Sequence, residues 1–410
     1  MLEETINIIK RNNYNPLIIL FKGARFLIRG LFYTVAGGFL FVILTIIYPI
    51  QKIKFCAIIF HRIGHLAANT ELFLRRLRAG YYDKDCLYIG FSIAGMKPSN
   101  RQLLDMFKRN FAIIENRLFG KIIYSLPMRR SKFYQELPFN SNEYYEFNNL
   151  PTILTFTSEE EGKGRRELER MGIGQNDWFV CFHARDNTYL NETFGGDWKY
   201  HNYRDCDINN YLKATEYITE QGGYAVRMGA IVEKPLPDLN NSRIIDYATK
   251  YRSDFMDIYL SAKCKFFVGC TAGLFIIAMI FETPVAGTNF AHLELPPLRT
   301  GDIFLPKKIR NRKNNRLLTF PEIFERRIGK WANGYDFEKV GLEVIENTSD
   351  EILGLVREMN ESLDNRFQYT EEDKDLQHRY QSFIKPYHAC YKIPVKIGTL
   401  FLRENKELLG

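Results

Sequence analysis

The chain has 410 residues, too many for one ordinary hydrophobic core at roughly 100–200 residues per domain, so two domains are expected. Its 46% hydrophobic and 25% charged content belongs to a globular protein and excludes a disordered one. A net charge of +8 favours anionic partners such as nucleotide phosphates or an anionic lipid surface.

Nucleic acid is not an expected partner, because the chain has no zinc-finger spacing, no RRM-type aromatic motif and no sustained basic helix. The seven cysteines are odd in number and none forms a C-x-x-C. Several lie inside apolar runs, so reduced thiols in a cytoplasmic compartment are expected, not a disulfide framework or a structural zinc.

Residues 1–30 read as a basic amphipathic leader. Residues 31–50 carry no charged side chain and read as a hydrophobic membrane-associated segment. About 20 apolar residues at ~1.5 Å each match a hydrocarbon core of ~30 Å. Lys22, Arg25 and Arg29 precede the run and Lys52 and Lys54 follow it, which leaves orientation open. Pro49 closes the helix close to the next strand, so a segment dipping into the cytoplasmic leaflet fits as well as a full span. A buried core helix is the soluble alternative.

Residues 51–170 are expected to form an N-terminal Rossmann-like domain with the connection to the next. Its strands fall near 55–60 and 86–91, and its helices near 66–77 and 99–110. Arg75, Arg76 and Arg78 sit at the end of the first helix, where cations complement the dipole. Residues 129–175 are charged and turn-rich and hold the interdomain connection.

Residues 171–360 form the second Rossmann-like domain. Strand 178–183 precedes a helix opened by Asp207 over 208–221, then strand 224–229 and a short strand 244–247. Ser253 caps a helix running to about Ala262. Strand 266–269, helix 274–281 and strand 284–289 follow. Strands separated by helices imply a parallel sheet with right-handed crossovers. Residues 361–410 are expected to be a tail packing back on the N-terminal domain.

Chemistry concentrates after the predicted strands. Cys181-Phe182-His183-Ala184-Arg185-Asp186 sets a His-x-Arg pair at a strand end, before a long polar loop containing His201 and Arg204. In open α/β sheets ligands bind beyond the carboxyl ends of the strands. The planar fork of Arg185 suits phosphate oxygens; a local capping pair is the plainer reading of His183 and Arg185. Arg227 and Gly229 end the next strand. Gly269-Cys270-Thr271-Ala272-Gly273 joins a strand to a helix N-terminus, where backbone N–H groups favour a phosphate. No Lys follows, so it is not a Walker motif, and an ordinary βα turn is the plain alternative.

His65, after Arg62 and Gly64, is a natural base for a hydroxyl, with Glu71 as substitute or orienting partner and helix capping as the bland reading. Asp254 and Asp257 read first as helix N-terminal charges and second as an acidic dyad. No Asp-x-Asp follows the strands, so no metal is expected.

Taken together, Arg62 to Leu66, Cys181 to Asp186, His201 to Arg204, Arg227 to Gly229, Ser253 to Asp257 and Gly269 to Leu274 resemble a family of bacterial glycosyltransferases. That family is associated with surface-polysaccharide and lipopolysaccharide gene clusters. The resemblance runs from about Ile53 to the tail Lys396–Arg403. More distantly, His183-x-Arg185 is similar to the His-x-Arg element of fucosyltransferase-type enzymes, although Asp186 stands where the fuller pattern has a second Arg.

The resemblance implies an α/β, GT-B-like fold, with two Rossmann-like domains facing a cleft: residues 51–170 for the acceptor and 171–360 for the nucleotide sugar. It implies transfer of a sugar from a nucleotide donor, as substrate and without a cofactor or metal, to a lipid-linked or membrane glycan at the cytoplasmic face of the inner membrane. His183, Arg185, Arg227, Gly229, Ser253, Asp254, Thr271, Ala272 and Gly273 would serve the donor. His65, Glu71 and His183 would serve catalysis, with Arg62, Gly64, Asp186, His201, Arg204 and Asp257 nearby. The alternative is a noncatalytic membrane-associated scaffold or glycan-binding protein. A kinase or ligase lacks its phosphate-binding Lys and magnesium carboxylates.

Overall fold

In the computed structural model, residues 16–92, 97–138 and 144–410 are described. The first half of the expected leader, residues 1–15, lies outside them. The chain divides into two compact units: one of residues up to Phe60 with Gly80–Lys97 and Lys108–Leu137, and one of His61–Ala79, Pro98–Phe107 and Pro138–Gly410.

The first unit begins with a helix over Pro16–Ile47 and a turn at Tyr48–Ile50, so the apolar helix starts well before residue 31 and stops short of residue 50. Its sheet is parallel, built from β1 (Lys52–Ile58), β2 (Cys86–Ser92), β3 (Ala112–Ile114) and β4 (Tyr134–Gln135) in the order β3-β2-β1-β4. β1 and β2 pair along their whole length, Lys52 with Cys86 through Ile58 with Ser92. Leu44 of the long helix joins Phe55, Phe91, Ile123, Met128 and Phe133 in a buried cluster.

The second unit holds a seven-stranded, wholly parallel sheet. Its strands are β5 (Phe179–His183), β6 (Tyr224–Arg227), β7 (Ile244–Ile245), β8 (Phe267–Gly269), β9 (Val285–Phe290), β10 (Ile303–Pro306) and, from the far end of the chain, β14 (Lys396–Ile397). A small antiparallel sheet of β11 (Lys308–Asn311), β12 (Arg316–Leu317) and β13 (Leu342–Ile345) stands beside it. The order β14-β10-β9-β8-β5-β6-β7 reverses direction between β5 and β8. Counted within the unit, the first six strands run 3-2-1-4-5-6, the doubly wound order whose crevice lies at that switch point. β5 is Phe-Val-Cys-Phe-His and β8 is Phe-Val-Gly, continuous apolar runs suited to burial on both faces.

Three expectations change here. The tail does not end as a separate layer on the first domain: β14 pairs with β10 in the second unit, and Thr399 N–H bonds the Glu358 carboxylate at 2.7 Å. The strand at 244–247 stops at Ile245, and Tyr247–Lys250 turns helical. The helix Ile63–Arg78, placed by sequence order in the first domain, packs within the second unit. Its anchor is Arg75, fully buried, which bonds Glu71 at 2.9 Å, the Leu150 carbonyl at 2.6 Å and the Ile280 carbonyl at 2.8 Å.

Candidate functional site at the switch point

Beyond the carboxyl ends of β5 and β8 lies a cavity of about 560 Å³, entirely within the second unit. Of the residues expected at the site, Arg62, Gly64, His65, His183, Arg185, Asp186, Arg204, Gly229, Asp257, Thr271, Ala272 and Gly273 line it. The volume falls in the usual range for ligand pockets, about 300–1,000 Å³.

Arg185 is 7% exposed. Its backbone is held on both sides: its N–H donates to the Cys270 sulfur at 3.2 Å, and its carbonyl accepts from Cys206 N–H at 3.0 Å. Asp205 pairs with one arm of the guanidinium, and the His201 carbonyl accepts from that arm at 3.4 Å. The other terminal nitrogen, Nη2, is buried with no hydrogen-bond partner among the described residues, and so is Nε of Arg204. Burial, then Arg204, pulls the Arg185 guanidinium down to about 10, which leaves it cationic at neutral pH. Buried donors left without acceptors beside other cations are costly unless an anion takes them.

Burial and nearby cations lower the cavity histidines His65 and His183, and also His201, whose ring does not line the cavity. Burial, opposed by Asp186 and aided by Arg227 and Arg185, takes His183 down to about 4. Burial and the neighbouring cations Arg204, Arg185 and Arg62 take His201 down to about 3. His65 falls below its ordinary value through burial and Arg62, while Asn69 hydrogen-bonds its ring. A neutral imidazole facing a cavity is equipped to accept a proton.

Thr271 and Gly273 serve the cavity wall in a way the turn alone did not suggest. The Thr271 hydroxyl accepts from Ala291 N–H at 3.1 Å and lies 3.4 Å from the Asn289 carbonyl, tying the β8 and β9 loops. A Cβ on Gly273 would sit 2.8 Å from Gly64 N, and one on Gly64 would sit 3.0 Å from Gly273 Cα. The two glycines let the Ile63–Arg78 helix cross the β8 turn backbone to backbone at the cavity wall.

Several expected residues are committed to hydrogen bonds within the chain, Asp186 and Asp257 among them at the cavity wall. Glu71 does not face the cavity: it is fully buried against Arg75 and accepts from Ile153 N–H at 2.7 Å, so it is a structural carboxylate. Arg227 does not line the cavity either; it is 3% exposed and bonds the Lys234 carbonyl at 2.7 Å and Asp246 at 3.4 Å. Ser253 caps its helix by accepting from Met256 N–H at 3.2 Å, and Asp254 accepts from Arg101 N–H at 2.7 Å. The His201 ring stacks on Trp198 with centroids 6.0 Å apart. Asp257, pushed up to about 6 by burial, meets Tyr247 and Arg252, each at 2.8 Å. Asp186 bridges loops through Thr188 N–H at 2.9 Å and Glu233 N–H at 3.1 Å.

The sequence reading missed Arg252 and His292, which also line the cavity. His292 follows β9 and bonds the Tyr203 hydroxyl at 2.7 Å; its place after a strand was the available signal. Arg62 lies over the rings of Phe194 and Trp198, 5.1 and 5.2 Å from their centroids, a clasp that no local pattern announces.

No protein-family model matches the chain, and no curated protein matches it. Among solved structures it is similar to ADP-heptose LPS heptosyltransferase II of E. coli, at 13% identity over 57% of this chain and 84% of that one, with a TM-score of 0.38. It is similar to a glycosyl transferase family 9 protein from Veillonella parvula, at 10% identity over 62% and 86%, with a TM-score of 0.42. The iron-containing dodecameric glycosyltransferase TibC from enterotoxigenic E. coli overlaps it at 9% identity over 59% and 60%, with a TM-score of 0.34. At such values the likeness carries no statement of activity for this chain.

Proposed function

We propose that the protein is a glycosyltransferase of GT-B arrangement that moves a sugar from a nucleotide donor to a hydroxyl of a membrane-linked glycan in bacterial surface-polysaccharide or lipopolysaccharide synthesis. The observation that carries this reading is the pair of unpaired guanidinium donors, Arg185 Nη2 and Arg204 Nε, at a cavity on the switch point of a 3-2-1-4-5-6 sheet. Such a place suits a diphosphate. Arg185 and Arg204 would bind it and neutralise the charge that grows as the bond from the anomeric carbon to the diphosphate oxygen breaks, with the electron pair leaving on the nucleoside diphosphate. His65 would take the proton of the acceptor hydroxyl as its oxygen bonds that carbon. Two cationic side chains in place of a metal make the reaction metal-independent in this reading. The membrane-linked acceptor and a location at the cytoplasmic face of the inner membrane are inferred from the long apolar helix.

Titration with a panel of nucleoside diphosphates, with and without divalent cations, tests the proposal. A rise in Tm with at least one of them, unchanged by chelator, is expected. Absence of any stabilisation under both conditions would overturn it.

A further inference from the structure

Residues 30–51 carry no charged side chain, and the part of that run inside the Pro16–Ile47 helix, residues 30–47, is about 27 Å long at ~1.5 Å per residue, close to the thickness of a hydrocarbon core. Along that stretch one stripe of the helix is fixed to protein. Near its start Lys121 Nζ lies 5.6 Å from the Tyr33 ring centroid. In the middle, Gly37 is buried against Ser125, whose hydroxyl occupies the space of a Cβ. Further on Phe41 meets Phe133 edge-on at 5.5 Å, Leu44 is 5% exposed, and Tyr48 packs on Phe133 at 5.9 Å beneath Lys132 Nζ. Tyr33 to Tyr48 covers about 22 Å of helix at ~1.5 Å per residue, most of a hydrocarbon core.

The segments that hold this stripe, Arg117–Ile123 and Leu126–Arg129 with the turn after them, carry Arg117, Lys121, Arg129, Arg130 and Lys132. A crossing helix would carry these cations into hydrocarbon with it, which is strongly unfavourable. The opposite stripe is Leu31, Val35, Phe39, Val42 and Ile46, spaced at helical period and each more than half exposed. Leu118 and Leu126, 52% and 49% exposed, add apolar surface on the docked segments. An exposed apolar stripe on a helix whose other side is docked on a cation-bearing protein layer suits a membrane-surface anchor.

We propose that this helix is an in-plane anchor in one leaflet of an anionic phospholipid bilayer and does not cross it. The stripe from Leu31 to Ile46 enters the acyl region, and the basic rim meets headgroup phosphates. The inference rests on the first unit alone and stands or falls independently of the donor chemistry.

The test uses the full chain in sealed vesicles. All seven native cysteines are buried, so a membrane-impermeant maleimide reads introduced ones against a low background. Arg25→Cys and Arg130→Cys, prepared separately at exposed positions, should both be labelled from the same side. Labelling of Arg25→Cys only from the opposite side would overturn the proposal.

Flotation on phosphatidylglycerol vesicles should be at least tenfold stronger than on phosphatidylcholine vesicles, and equal binding or none would also overturn it. Val35→Glu with Phe39→Glu, both exposed, should abolish flotation while the thermal melt stays unchanged. Retained flotation in that folded variant would count against an anchor of this kind.

Discussion

At the first turn of the Ile63–Arg78 helix, Arg62 and His65 face the cavity; two turns on, Glu71 and Arg75 are sealed in protein. The residue types are similar, yet their surroundings differ in one respect. Arg75 finds carbonyl acceptors at Leu150 and Ile280 besides Glu71, and Glu71 finds Ile153 N–H besides Arg75. At the cavity end, Arg185 and Arg204 keep donors with no acceptor among the described residues. The Arg75 donors are all met by the chain and one Glu71 oxygen carries both Arg75 and Ile153, so this pair holds the fold together although the second Glu71 oxygen has no partner among the described residues. A guanidinium with donors to spare on a cavity wall suits an anionic ligand.

The sharpest way to break this comparison is at His65. His65→Ala should lower turnover by about 10²–10⁴ while nucleotide affinity stays nearly unchanged, read as kcat against Kd. Because the His65 ring titrates below its ordinary value, the neutral, proton-accepting form already dominates near pH 6.5 and above. Turnover should therefore fall as acid protonates the ring, with its midpoint at lower pH than for an unperturbed histidine. Near-normal turnover in a folded His65→Ala protein would remove the histidine from the mechanism.

The other end of the helix should respond in stability. Glu71→Ala leaves the buried Arg75 charge with only the longer Glu282 pair at 3.6 Å, and breaking a buried pair typically costs about 3–5 kcal/mol. Urea unfolding should show the loss, and donor affinity of the fraction that remains folded should be unchanged. A loss of donor affinity without a loss of stability would erase the distinction between the two ends.

Arg185→Ala should reverse that pattern. Losing hydrogen bonds to a charged ligand is worth about 1.5–3 kcal/mol, or roughly a ten- to hundredfold weaker Kd for a nucleoside diphosphate. Removing the unpaired Nη2 donor favours stability while losing the Asp205 pair opposes it, so the change in stability should be smaller than that of Glu71→Ala. Arg227→Met should instead destabilise the protein, because Arg227 is committed to Asp246 and the Lys234 carbonyl.

The smallest effect is expected at the crossing of the two glycines. Gly64→Ala places a methyl 3.0 Å from Gly273 Cα, and such overpacking typically costs about 1–3 kcal/mol. Thermal unfolding should register it, with a modest rise in KM as the Arg62–His65 turn shifts. An unchanged Tm would mean that the crossing yields more readily than its geometry implies.

Much of the second unit follows from short-range physics. The apolar runs at 178–183, 266–269 and 284–289, the stop at Gly222-Gly223 and the Ser253 cap are each set by residues within a few positions of one another, and the parallel sheet follows from their alternation. The placement of Arg185 and Thr271 beyond strand ends follows for the same reason.

What the sequence left undecided depends on partners far along the chain. Arg75 bonds a carbonyl 205 positions away, β14 joins β10 from the far terminus, and Gly64 meets Gly273. Arg185 and Arg227 both follow strands and look alike in sequence. Only the tertiary structure sets Arg227 against Asp246 away from the cavity and places Arg185 on the cavity wall, paired with Asp205 through one arm and with Nη2 unmet, because a buried charge is defined by what the rest of the fold brings within hydrogen-bond distance.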